Sequence, residues 1–188
     1  MSEEKTDVFR FPMKHAPKLA VRPTAQDGAR LVDAQSVAGA IVAGVAAVIA
    51  FCVLWALLST LVNRVFPWLT LAMGMLVGLA MRRAGRGLDW RFPVLAAMLT
   101  ALGCLAANIV VAAAFTAAEF GTGTLTVLRA VTAMTWPVFF DEVMTPADAV
   151  YALFAAAIAA FYANRRLSRA DYLALRKWEE RNDAKQTA

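Results

Sequence analysis

Phe66-Pro-Trp-Leu-Thr-Leu-Ala-Met-Gly-Met-Leu-Val-Gly-Leu-Ala-Met-Arg-Arg-Ala-Gly-Arg-Gly-Leu-Asp-Trp-Arg-Phe92 decides the fold. From Phe66 to Met81 the residues are apolar or small, Thr70 excepted, and Phe92 opens another apolar run. The turn between them carries Arg82, Arg83, Arg86 and Arg91 within ten residues. Two apolar helices joined by a short basic turn make a membrane hairpin, and such a turn stays on the cytoplasmic side because Lys and Arg in short loops resist translocation. That turn therefore sets the sidedness expected of every other segment.

Composition agrees with this reading. Sixty per cent of the 188 residues are hydrophobic, too many for an ordinary soluble domain, and they come in runs long enough to cross a bilayer. The pattern predicts an all-α integral membrane protein with four transmembrane helices in two hairpins. Spans are expected at about residues 36–62, 66–81, 92–118 and 146–163. Residues 1–35 read as a basic tail broken by Pro12, Pro17 and Pro23, in which Thr24-Ala-Gln-Asp27 has capping-box spacing. Residues 36–164 form the membrane domain, and residues 165–188 a basic amphipathic segment that Ser168-Arg-Ala-Asp171 opens. Thr145-Pro-Ala-Asp148 is a third helix start, with proline where no amide donor is needed.

Four spans place 17 of the 19 Lys and Arg residues on one side, leaving Arg64 and Arg129 opposite. Five spans would export the basic C-terminal segment, so both termini are expected in the cytoplasm, with a bacterial inner membrane as the expected location. Leu125 to Phe140, bounded by Gly121, Gly123 and Pro137, is then expected as a short interfacial helix in the outer loop between helices 3 and 4. Arg129 argues against its spanning, since an arginine at a helix centre costs about 2.5–3.5 kcal/mol on insertion scales.

Packing faces are visible as small-residue rows. Gly39, Ala43 and Ala47, with Ala40 and Gly44, mark the first helix, and Gly74 and Gly78 the second. Small residues let helix backbones approach where lipid and protein are equally apolar. On the third helix Ala96, Thr100, Cys104, Asn108, Ala112 and Thr116 form one line of small or polar residues. The Asn108 amide requires a partner in hydrocarbon, either another helix or a lined cavity.

Chemistry is sparse. His15, in the tail, is the single histidine, which excludes two-histidine haem ligation within one chain. Cys52 and Cys104 lie within apolar runs and read as small hydrophobes. Glu119, Asp141, Glu142 and Asp148 make the outer side acidic, but Asp148 is accounted for as a cap and the others as solvated. No catalytic, cofactor or metal site is expected. Arg82, Arg83, Arg86, Arg91, Arg165 and Arg166 are expected to face anionic lipid headgroups, since each juxtamembrane cation gains about 1 kcal/mol there; nucleic acid is not the expected partner. The expected function is a non-catalytic small membrane subunit or scaffold packing against a larger membrane protein. The alternative is a homo-oligomeric small transporter or channel lined by the Ala96, Thr100, Cys104 and Asn108 face.

Overall fold

The structure, a computed structural model, describes residues 23–130, 137–138, 141 and 144–186. Among them there are seven helices and no strand. They are α1 (Ala25–Asp33), α2 (Val37–Val62), α3 (Leu69–Gly85), α4 (Arg91–Glu119), α5 (Thr124–Ala130), α6 (Pro146–Ala163) and α7 (Arg169–Gln186). α2, α4 and α6 are long and apolar enough to cross a membrane. The described residues divide into two compact units, one running from Arg30 to Arg166 and one made of the described residues outside those limits.

In the larger unit, α2, α3, α6 and α4 form a ring in which each packs on the next. Backbone hydrogen bonds gather four helix ends at one end of that ring. Ser36 N–H, at the start of α2, donates to the Gly85 carbonyl at the end of α3 (2.9 Å). Arg165 N–H, just past α6, donates to the Gly87 carbonyl before α4 (3.0 Å), and Leu88 N–H donates to Gln35 Oε1 (3.1 Å). The start of α2, end of α3, start of α4 and end of α6 therefore lie together, so these four helices alternate in direction along the chain, while in the ring α3 runs parallel to α6 and α2 to α4.

α3 begins three residues later and ends four later than the expected 66–81 span. Leu69, Thr70 and Leu71 N–H groups bond to the Phe66, Pro67 and Trp68 carbonyls, so Phe66 to Trp68 form a tight turn before the helix. The Thr70 hydroxyl caps that turn by donating to the Pro67 carbonyl (2.7 Å). At the other end, Arg82 and Arg83 sit in the last helical turn, where cations complement the carbonyl ends. The other three spans lie within a residue of their expected limits.

α3 and α6 pack backbone to backbone. A Cβ on Gly74 would collide with the Ala155 carbonyl, and one on Gly78 would lie 2.6 Å from the Ala159 carbonyl oxygen. On α2 the residues facing inward are Ala40, Gly44, Phe51, Cys52, Trp55 and Ser59. Gly39 sits one position round, beside its own cap, where a Cβ would lie 3.3 Å from the Ala84 carbonyl oxygen, and Ala43 is half-buried. The seam of α2 thus follows the Ala40–Gly44 row.

α5 doubles back on the outside of α4. Thr124, Leu125 and Leu128 share an apolar groove of about 490 Å³ with Val48, Cys52 and Ala56 of α2 and Ala106 and Val110 of α4. Val110 and Ala106 lie nine and thirteen residues before the end of α4, so the segment returns about 14–20 Å along it. Of the expected interfacial helix from Leu125 to Phe140, residues 125–130 lie on α5, whereas 131–136, 139 and 140 lie outside the described residues.

In the smaller unit, α1 opens with the Thr24–Asp27 box and packs its Gly28 against α7, where a Cβ would meet the Ala174 carbonyl and Trp178. Lys177 Nζ donates to the Pro23 carbonyl (3.0 Å), and Arg176 pairs with Glu180 along α7 (3.0 Å).

Gly74→Ala is expected to lower thermal stability in detergent by several degrees, because a rigid carbonyl has to move and overpacking costs about 1–3 kcal/mol. Gly123→Ala, whose Cβ would meet nothing closer than the Thr126 hydroxyl at 3.5 Å, is the control expected to change it little.

Candidate functional site

The α3–α4 turn and the end of α6 build a basic cleft. Arg82 and Arg83 come from the last turn of α3, Arg86 from its C-cap, and Arg165 and Arg166 from the segment after α6. These five side chains line an open cavity of about 410 Å³. The bond from Arg165 N–H to Gly87 brings the two segments together, and Gly87 lets the turn lie against Phe92, whose ring a Cβ there would strike. Arg86 adopts the left-handed conformation (φ 49°, ψ 34°) while its N–H closes the helix on the Arg82 carbonyl (3.1 Å). Among the described residues, no carboxylate lies in ion-pair range of the five; Asp89, in the same turn, is exposed. Arg91, at the start of α4, is exposed and does not line the cleft.

A second cleft, of about 310 Å³, lies between the α2–α3 connection, α4 and the start of α6. Val65, Pro67, Asn108, Val111, Ala112, Phe115, Thr145 and Asp148 line it. Asn108 is 8% exposed and its Nδ2 donates to Met144 Sδ at 3.7 Å, a weak acceptor. The Asp148 carboxylate is already engaged, accepting from the Thr145 N–H (3.0 Å) in a completed capping box. Thr145 and Asp148 therefore lend this cleft polarity, with Asp148 Oδ2 committed to the cap.

No protein-family model, curated protein or solved structure matches the chain.

The line along α4 faces the interior of the ring. Ala96 and Thr100 are fully buried and Cys104 is 1% exposed, so below Asn108 the line is sealed by packing. Cys52 and Cys104 are both free and buried. Three interior polar groups, the Trp55 indole N–H and the Ser59 and Thr100 hydroxyls, are buried with no hydrogen-bond partner among the described residues; Thr100 belongs to the expected α4 line, whereas nothing in the apolar run of α2 marks Trp55 and Ser59. Trp55 and Ser59 stand one turn apart on α2, a spacing that places them on one helix face.

With Cys52 and Cys104 replaced by alanine, a cysteine at Asn108 should react with a membrane-impermeant thiol reagent applied to the cleft side, while one at Thr100 should stay protected. Equal labelling at both positions would mean that the cleft continues through the bundle.

Proposed function

We propose that the chain is a non-catalytic subunit or scaffold of a bacterial inner membrane, spanning it four times with both termini in the cytoplasm and packing against a larger membrane protein. The observation that carries this reading is the seating of the α4 line. The small and polar residues that would line a solute path are spent on contacts inside the ring, with Ala96, Thr100 and Cys104 closed off. The homo-oligomeric channel or transporter reading requires that same face to be open, and so draws no support from it.

What the chain presents outward is apolar. Ile41, Val42, Ile49, Val53, Leu54, Leu57 and Leu61 of α2 are exposed, and beside them lies the groove floored by Cys52, Ala56 and Ala106. Small residues below flanking ridges form a surface into which a second helix fits closely, which is how membrane helices associate. The four-span topology is supported by the alternating helix directions and by the basic end. α3 has 17 residues, about 26 Å at 1.5 Å per residue, so the bilayer meets it with Trp68 at one end, arginines at the other and modest thinning.

Purification in mild detergent should recover a stoichiometric membrane-protein partner, and Ala106→Phe, which fills the groove, should lower that recovery at least about tenfold, equivalent to about 1.4 kcal/mol. A chain that remains alone and monodisperse in several detergents would sink the proposal. Reporter fusions after Glu119, after Glu142 and at the C-terminus are expected to read outside, outside and inside; an inside reading at Glu142 would overturn the topology.

A further inference from the structure

We infer that the five-arginine cleft is a built site for a phosphate headgroup carrying two or more negative charges, supplied by a phospholipid of the adjoining leaflet. The inference rests on the membrane-spanning reading above but not on the existence of a protein partner.

Three observations point to a ligand rather than to diffuse surface charge. First, five guanidinium groups converge from two separate segments, with no carboxylate in ion-pair range among the described residues. Like charges repel at short range, so the arrangement calls for an anion that the described residues do not supply. Second, Arg86 occupies a left-handed C-cap, a position where glycine is the easier residue. The chain keeps an arginine there, and its side chain lines the cleft. Third, the cavity of about 410 Å³ falls within the range of about 300–1,000 Å³ typical of small-molecule sites.

The geometry also chooses the source of the phosphate. Leu79 stands one turn before Arg83 on α3, and Tyr162 of α6 packs beside Gly78, one turn before Arg82, so apolar side chains lie next to the cationic rim. Phe161 is 71% exposed, and Leu76 of α3 is exposed as well. A soluble anion has no use for that apolar wall, whereas the acyl chains of a lipid would lie along it. Arginine also presents paired N–H donors to phosphate oxygens, which distinguishes a site from a simple concentration of charge.

The test uses the full chain in mild detergent, with retained lipid read by native mass spectrometry and by titration with vesicles. The probes are a diphosphatidyl lipid, a monoanionic phosphatidyl lipid and inorganic pyrophosphate. We expect the diphosphatidyl lipid to be retained at one per chain, in preference to the monoanionic lipid and against pyrophosphate. The double variant Arg83→Gln, Arg166→Gln should lower retention about tenfold, and Arg83→Lys with Arg166→Lys should lose most of the preference while keeping the charge. Arg86→Gly should weaken retention while thermal stability is kept or raised, a pairing that a purely structural arginine would not give. Arg91→Gln, at the same end but outside the cleft, should change nothing. If Arg91→Gln weakens retention as much as the cleft variants, the binding is diffuse and the site is overturned. If pyrophosphate displaces the lipid at equal concentration, the lipid source is overturned in favour of a soluble phosphate compound. Recovery of a partner without any lipid preference would overturn this inference alone, and lipid preference without a partner would overturn only the subunit reading.

Discussion

The carbonyls of Gly85 and Gly87 hold this structure together. One accepts from Ser36 at the start of α2 and the other from Arg165 after α6, while Leu88 N–H donates to Gln35. A turn at a membrane boundary has backbone groups that lipid cannot satisfy, and here they are satisfied by the ends of neighbouring helices. Four helix ends thereby share one short turn, and alternating helix direction follows. The Phe92 ring lies over the turn so closely that a Cβ at Gly87 would collide with it.

Given that anchor, the bundle has to close without a hydrophobic driving force between its helices, since lipid tails are as apolar as leucine. The α3–α6 contact meets this demand by bringing Gly74 and Gly78 against the Ala155 and Ala159 backbone, which lengthens the van der Waals seam. Helix lengths are uneven. α2 and α4, with 26 and 29 residues, extend past α3, with 17, so one flank of the bundle stands taller than the other. α5 returns along that taller flank and covers part of the apolar surface which α2 and α4 would otherwise expose.

Local signals were legible in the sequence, and tertiary ones were not. The boxes at Thr24–Asp27, Thr145–Asp148 and Ser168–Asp171 all form, because a capping box depends on residues three apart and on nothing else. The start of α3 was less legible: Phe66 and Trp68 are as apolar as the helix they precede, and hydropathy does not separate a turn from a helix when both are greasy. On α2 both small-residue rows had the right spacing, and only the partner helices select Ala40 and Gly44 as the seam. Asn108 stood out as an amide within an apolar run, but its sulfur partner Met144 lies 36 residues away. The convergence of five arginines was invisible for the same reason, since Arg86 and Arg165 are far apart in the chain and meet through the bond to Gly87.

That convergence asks for a cause beyond topology. The preference for cytoplasmic Lys and Arg is met by their number near the membrane ends and is indifferent to whether they gather or spread. Arg91 satisfies it from outside the cleft, so spreading was open to the others as well. Gathering carries a penalty: two unit charges about 6 Å apart repel by roughly 0.7 kcal/mol even at the dielectric of water, and by more beside a protein. The α3 carbonyl end offsets part of this for Arg82 and Arg83, each by about 0.3–1 kcal/mol, but that offset would exist equally if Arg165 and Arg166 pointed elsewhere. A phosphate bound as inferred above would reverse the sign of the arrangement, turning five repelling cations into five ligands of one anion. The left-handed Arg86 belongs to the same account, because its backbone strain places one more guanidinium on the rim.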